Sequence, residues 1–318
     1  MSDVRLGLIG CGAHLARRLP FFTGATVVAA ADPSPDARST IAPTAAGFAD
    51  HREMLASVDL DGVVVASPHG LHFRHATDAL DADCHVLVYK PMVTTSSEAI
   101  ELERLARASG RVVSLAIEGL FTAEFRHIFA LRDAGELGDI RLVTGLCAQR
   151  WLANVRGTWR TDPALGGGGN LIDSGYHLLA SLLHLTGQRP TEVCAYLDRR
   201  NEQIDLEVAA AFRLDGGALG SLAVSGDSQG MEEGIYLTGT KASLTTSIYG
   251  QRLAFITGWT EREVPSLEPV ETAEENFVRC LRGEAETLAG PQLGVDIAHF
   301  FEAIVRSAEE GRPVRVAG

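Results

Sequence analysis

No apolar run in the 318 residues approaches the ~20 needed to span a bilayer. The five cysteines (Cys11, Cys84, Cys147, Cys194 and Cys280) are odd in number and far apart, and no C-x-x-C pair offers a zinc or redox site. A reducing, cytosolic setting is the default. Basic residues are outnumbered, with 28 Lys and Arg against 41 Asp and Glu and a formal charge of −13. The basic footprint of a partner for nucleic acid or anionic membranes is therefore missing. The opening MSDVRLGLIG lacks the charged start, apolar stretch and small-residue cleavage site of a secretion signal, which leads to the expectation of a cytoplasmic protein. Internal repeats and low-complexity segments are missing as well.

What is present is apolar residues in quantity, 46% of the chain, enough for one large or two medium domains. Residues 1–120 alternate short Val/Ile/Leu runs (4–9, 26–31, 62–66, 85–88 and 111–116) with helical stretches. Runs without polar alternation fit a parallel sheet covered on both faces, and their alternation with helices predicts a doubly wound α/β fold. Thr95-Ser-Ser-Glu98 reads as a capping box, and Gly110 closes the helix that follows. Residues 121–318 read differently: a helix near 123–134, a strand at 140–148, a loop rich in Arg, Trp and Gly, and a helix at about 170–186. Strands at 191–197, 208–214, 217–225, 234–238, 243–247 and 252–257 then follow across tight turns, before helices near 273–281 and 294–308. This pattern predicts a second domain, 121–318, built on an open, mostly antiparallel sheet.

The first strand runs into Gly10-Cys-Gly12-Ala13-His14-Leu15. Gly10 suits a tight turn, Gly12 a close approach of pyrophosphate, and Ala13 and His14 open a helix whose free N–H groups face the phosphates. The third motif position is Leu15 rather than Gly or Ala. Asp32 falls about 20 residues further on, at the tip of the second strand, where a carboxylate accepts from the ribose hydroxyls of NAD; otherwise it caps the turn before Pro33. A carboxylate there repels the 2′-phosphate of NADP, although Arg38 keeps NADP open. Strand ends line the cofactor crevice in this fold, so Ser67, Pro68 and His72 are expected beside the cofactor, with Pro68 and His72 the best lining residues.

In HVLVYKPM, residues 85–92, Lys90 ends an apolar strand and Pro91 fixes the chain's departure. Lys90 is either a solvated strand-end cation or a donor to a substrate oxygen. In LGGGGNLIDSGYHLLASLLHLTG, 165–187, Asp173 and His177 are four apart and expected on one helix face. A carboxylate beside an imidazole fixes its tautomer and suits a general base. The alternatives are a dipole-favoured Asp and a buried His. Two ligands with no third nearby argue against a metal.

These elements together resemble the Gfo/Idh/MocA family (glucose–fructose oxidoreductase and inositol dehydrogenase): the G-x-G turn, Asp32, the Ser67-Pro68 strand end, Tyr89-Lys90-Pro91, GGGG…D-x-G-x-H, GTKASL and GRPVRV. The resemblance implies an N-terminal Rossmann domain, a C-terminal α/β domain, and NAD- or NADP-dependent oxidation or reduction of a secondary alcohol on a sugar, cyclitol or related small molecule. By motif it implies catalytic roles for Lys90, Asp173 and His177, with Lys90 also touching the cofactor. The family's Glu before the lysine is Tyr89 here, which removes a charge beside Lys90 and could offer a hydroxyl to substrate or cofactor. Trp159 and Arg160, in the loop before Asp173, could receive a sugar acid or nucleotide sugar, or else form an oligomer contact or structural cover. The resemblance further implies a homodimer or homotetramer. Two other functions are compatible: a non-catalytic NAD-binding regulator, and redox-neutral elimination of the glycosidase type.

Overall fold

Short runs of Val, Leu and Ala, buried on both faces, build the first sheet of the computed structural model, which describes residues 3–265 and 267–318. Its strands are β1 (Val4–Ile9), β2 (Ala25–Ala31), β3 (Ala46–Phe48), β4 (Gly62–Val65), β5 (His85–Tyr89) and β6 (Val113–Ala116). Their order is β3-β2-β1-β4-β5-β6, with every pair parallel. The order reverses between β1 and β4, the switch point of a doubly wound fold. β3 was not expected; its three residues, two of them exposed, carry no apolar signature. Thr95 caps the helix Ser96–Ser109, accepting from the Glu98 amide at 3.2 Å, and Gly110 ends it in the left-handed region at φ 67°.

The chain divides into two units: Met1–Ile117 with Glu271–Val295, and Glu118–Val270 with Asp296–Gly318. The sequence assigned all of 121–318 to one domain, yet 271–295 belongs to the first unit. It gives β6 a neighbour: the Leu115 amide donates to the Ala289 carbonyl at 2.8 Å, and the Ser114 and Thr287 hydroxyls share a 2.7 Å hydrogen bond. The open edge of a sheet is thereby covered.

The second unit holds β7 (Ile140–Ala148), β8 (Pro190–Asp198), β9 (Glu207–Leu214), β10 (Leu219–Ser225), β11 (Glu232–Gly239), β12 (Ser243–Thr246), β13 (Leu253–Thr257), β14 (Thr260–Glu263) and β15 (Val314–Arg315). They form one sheet in the order β14-β13-β12-β11-β7-β10-β9-β8-β15. Only β7 and β10 run parallel, so the sheet is mixed but mostly antiparallel. The leucine-rich helix Gly175–Thr186 lies on β7, where Gly145 makes room: a Cβ there would stand 2.4 Å from Leu178 Cδ1. Leu142, Leu146, Leu219 and Tyr236 remain exposed on β7, β10 and β11. Among the described residues no helix is long and apolar enough to cross a membrane.

Candidate active site

The turn after β1 fits a dinucleotide. Gly10 has φ 91°, and a Cβ on it would lie 2.6 Å from the Ser67 amide nitrogen, so no other residue fits there. A Cβ on Gly12, which precedes the helix Ala13–Arg18, would meet nothing within 4 Å. The first glycine is thus demanded by protein, and the second leaves open the space a phosphate approach requires. Leu15 is fully buried, so the departure at the third motif position is a core contact. Asp32 Oδ2 accepts from the Cys11 amide and Oδ1 from the Ser34 amide, each at 2.8 Å. A carboxylate has about four lone-pair sites, so capacity for ribose hydroxyls remains. Arg38 donates to the Asp32 main-chain carbonyl, which keeps its guanidinium at this end of the turn. Burial, then Asp32, pushes the Cys11 thiol up to about 11, leaving it protonated.

Ser67 and Pro68 follow β4 as expected, and the Ser67 hydroxyl pairs with His75 Nδ1 at 2.8 Å. His72 corrects the sequence expectation of a lining residue. It is 1% exposed, with Nδ1 at 2.8 Å from the Pro91 carbonyl and Nε2 at 2.8 Å from the Ser67 carbonyl. The ring is packed between the segments that follow β4 and β5. Burial pushes this ring toward its neutral form, in which it donates to only one carbonyl.

Tyr89 requires a second correction. It is 4% exposed, its ring meets His14 edge-on at 5.0 Å, and its hydroxyl donates to Glu274 Oε1 at 2.6 Å. It therefore offers no hydroxyl to a substrate. Glu274 is fully buried and is gripped by Arg18, Nε to Oε1 at 2.8 Å and Nη2 to Oε2 at 2.6 Å. Lys90 follows β5, half-buried, and its charge is felt at the His72 ring.

In the second unit the helix begins at Gly175, after Ser174 as N-cap, so Asp173 stands in the preceding turn and His177 in the first helical turn. The shared helix face expected for the pair is not its geometry. Asp173 Oδ2 accepts from Trp151 Nε1 at 2.7 Å and Arg160 Nε at 3.1 Å. Trp151 is itself core, clustered with Leu152, Val155, Ile204 and Leu206. The Arg160 guanidinium carbon stands 4.3 Å from the centroid of the Trp159 ring. His177 is 6% exposed, with the Tyr249 ring 5.0 Å away. Burial raises the pKa of the Tyr249 phenol, so it stays a neutral donor, and its side chain is hydrogen-bonded to Gln149.

The glycine run has a structural cause that sequence alone did not reveal. Both oxygens of buried Asp205 accept main-chain N–H groups, Gly169 at 2.9 Å and Leu171 at 2.7 Å. A Cβ on Gly169 would fall 2.1 Å from the Asp205 carbonyl, and one on Gly166 2.7 Å from that of Arg160. These close backbone approaches shape the turn that carries Asp173. Glu274, Tyr249 and Asp205 were all missed from sequence, each being remote along the chain from the motif it supports.

Residues 4–117 match the family model described as oxidoreductase family, NAD-binding Rossmann fold, and residues 125–245 match the GFO/IDH/MocA C-terminal domain. The chain belongs to the GFO/IDH/MocA oxidoreductases, and its first unit carries their NAD-binding fold. It is 29% identical over 230 residues to dTDP-3,4-didehydro-2,6-dideoxy-alpha-D-glucose 3-reductase of Saccharopolyspora spinosa, covering 70% of this chain and 68% of that protein. It is 25% identical over 290 residues to D-glucoside 3-dehydrogenase of Escherichia coli, covering 84% and 82%. In fold it matches the WlbA dehydrogenase of Bordetella pertussis, solved with NADH and UDP-GlcNAcA, with a TM-score of 0.87, 24% identity and 99% of each chain covered.

Proposed function

We propose that this oxidoreductase transfers hydride between a nicotinamide cofactor and a secondary alcohol or ketone on a sugar, cyclitol, aminosugar or nucleotide sugar. The relatives named above act on glucose derivatives and glucosides, which supports that substrate class. Gly10, Gly12, Ala13, His14 and Asp32 would hold the cofactor, with Ser67 and Pro68 at the neighbouring strand end. Bound NAD supplies the hydride acceptor or donor. Lys90 donates a hydrogen bond to the reacting oxygen and stabilises its developing negative charge. His177 takes the hydroxyl proton in oxidation or returns it in reduction. Asp173 orients that chemistry from the preceding turn, and Arg160 borders the substrate with Trp159.

The observation that carries this reading is the pinning of Asp173. Two donors on one oxygen, Trp151 and Arg160, hold a buried carboxylate four residues before a buried imidazole. The exposed apolar residues of β7, β10 and β11 suit a homodimer or homotetramer, and the absence of any disulfide among the five cysteines suits a reducing, cytoplasmic compartment. The test is absorbance at the NADH band with sugars, inositols, aminosugars and nucleotide sugars, NAD+ and NADP+ in parallel. Net NADH with NAD+ is expected. Steady turnover on catalytic NAD+ without NADH would replace the dehydrogenase reading with redox-neutral elimination, and no turnover across the panel would favour a regulator.

A further inference from the structure

The end of the parallel sheet opposite the dinucleotide turn holds a cleft of about 480 Å³ that the mechanism above does not use. His85, the first residue of β5, lines it. So do Asp61, just ahead of β4, Asp83, Arg111, just ahead of β6, and Arg282, which follows the helix Ala273–Leu281. All of these residues belong to the first unit.

The tautomer of His85 follows from its neighbours. The Val112 amide donates to Nδ1 at 2.9 Å, and a main-chain N–H can only donate, so Nδ1 carries no proton. The ring is neutral, with its proton on Nε2. Burial, and then the Arg111 charge, holds its pKa below the ordinary value, in keeping with that form. Arg111 Nη1 stands 3.5 Å from Nε2. A guanidinium has no lone pair to offer, so two donors face each other, with no acceptor for either among the described residues. The other guanidinium nitrogens of Arg111 are taken: Nε donates to Asp83 Oδ1 at 2.8 Å, and Nη2 donates to Asp83 Oδ2. Asp61 accepts from the Arg5 amide at 2.7 Å. Arg282 Nη2 donates to the Gly24 carbonyl at 2.6 Å, while its buried Nε has no partner among the described residues. Unmet N–H groups of this kind are costly unless an acceptor arrives.

We propose that this cleft binds a small oxyanion, a carboxylate or a phosphate, whose oxygens accept from His85 Nε2 and Arg111 Nη1, with the Arg282 guanidinium on the wall beside it. An acceptor-only group is what two facing donors lack, and charge-assisted bonds of this type are the strong ones. The bound ion would tie β5 and the approach to β6 to the returning 271–295 segment.

The test follows the His85 imidazole proton resonance of the full chain by NMR, assigned by its loss in His85→Asn. Asn keeps an acceptor for the Val112 amide and removes the Nε2 donor. Inorganic phosphate and acetate are titrated separately at about pH 8, where the ring is neutral, against sodium chloride at matched ionic strength. Saturating NADH fills the dinucleotide turn, so that phosphate cannot act from there. The resonance should move saturably with a dissociation constant of about 1 mM, and chloride should not reproduce it. Saturation by phosphate alone assigns a phosphate, by acetate alone a carboxylate, and by both the shared oxyanion. Arg111→Met and Arg282→Met should each weaken binding about tenfold, the loss expected of one charge-assisted bond. If Arg111→Met does not fold, Arg282→Met carries the comparison. No saturable shift beyond the chloride control, a shift that NADH abolishes, or unchanged affinity in both variants overturns the proposal.

Discussion

Lys90 and Asp173 are held by different means. Lys90 follows a buried parallel strand, and its neighbour Tyr89 is tied by side chains to a helix 185 residues further along the chain. Asp173 stands on an irregular turn whose backbone is moulded by one carboxylate, Asp205, through two main-chain N–H groups. A strand needs little help to keep its course, so the first unit uses side chains to tie its end to a remote helix. A glycine-rich turn has no course of its own, so the second unit spends a buried charge on the backbone itself.

The contrast can be broken in order of expected effect. Lys90→Ala and His177→Ala should each lower turnover about 10²- to 10⁴-fold in steady-state assays, with NADH affinity by fluorescence titration within a few-fold of wild type. Equal loss of NADH binding in both would show that they support the cofactor rather than the oxygen. Asp205→Ala should cost about 3 kcal/mol in urea unfolding, since two charge-assisted bonds to buried amides go at once. It should lower turnover as well, because the Asp173 turn loses its mould; an unchanged turnover would detach Asp205 from the site.

The two glycines of the first turn make a finer test. Gly12→Ala should leave the melting temperature near wild type yet weaken NADH binding about tenfold, because its methyl enters open space. Gly10→Ala should lower the melting temperature instead, through strain and the clash at Ser67. The smallest effect concerns pH. Burial lowers His75 in the first unit and His184 in the second to about 4, below the ordinary 6.5. The unfolded chain therefore takes up protons first as the pH falls, and stability is lost between about 6.5 and 4, by roughly 2 kcal/mol for each ring. Hydrogen exchange read separately in each unit should show that loss flattened by His75→Gln in the first and by His184→Gln in the second.

Much of this was legible in advance. Val63–Val65 and Val86–Val88 are buried to the last residue, and such runs announce a covered parallel sheet. Gly10, Gly12, Asp32 and Lys90 lie where a doubly wound fold puts strand ends. The lysine carried a further signal in its rarity: 26 of the 28 basic residues are arginine, so a chain that otherwise chooses Arg keeps a compact ammonium at position 90. Periodicity could not reveal β3, too short to show a pattern, nor the helix start at Gly175, since the turn before it is built from contacts to Asp205. Pairings across long stretches of chain were equally hidden. A histidine at a helix start, such as His72, looks the same in sequence whether it faces a ligand or lies buried between two carbonyls.

The return of residues 271–295 to the first unit changes how the enzyme can be dissected. A fragment ending near 120 would lack Glu274 and Ala289, removing the carboxylate that pairs with Arg18 and stripping β6 of its outer partner. Chimaeras that exchange the nucleotide half between relatives therefore have to carry two separate lengths of chain, 1–117 and 271–295.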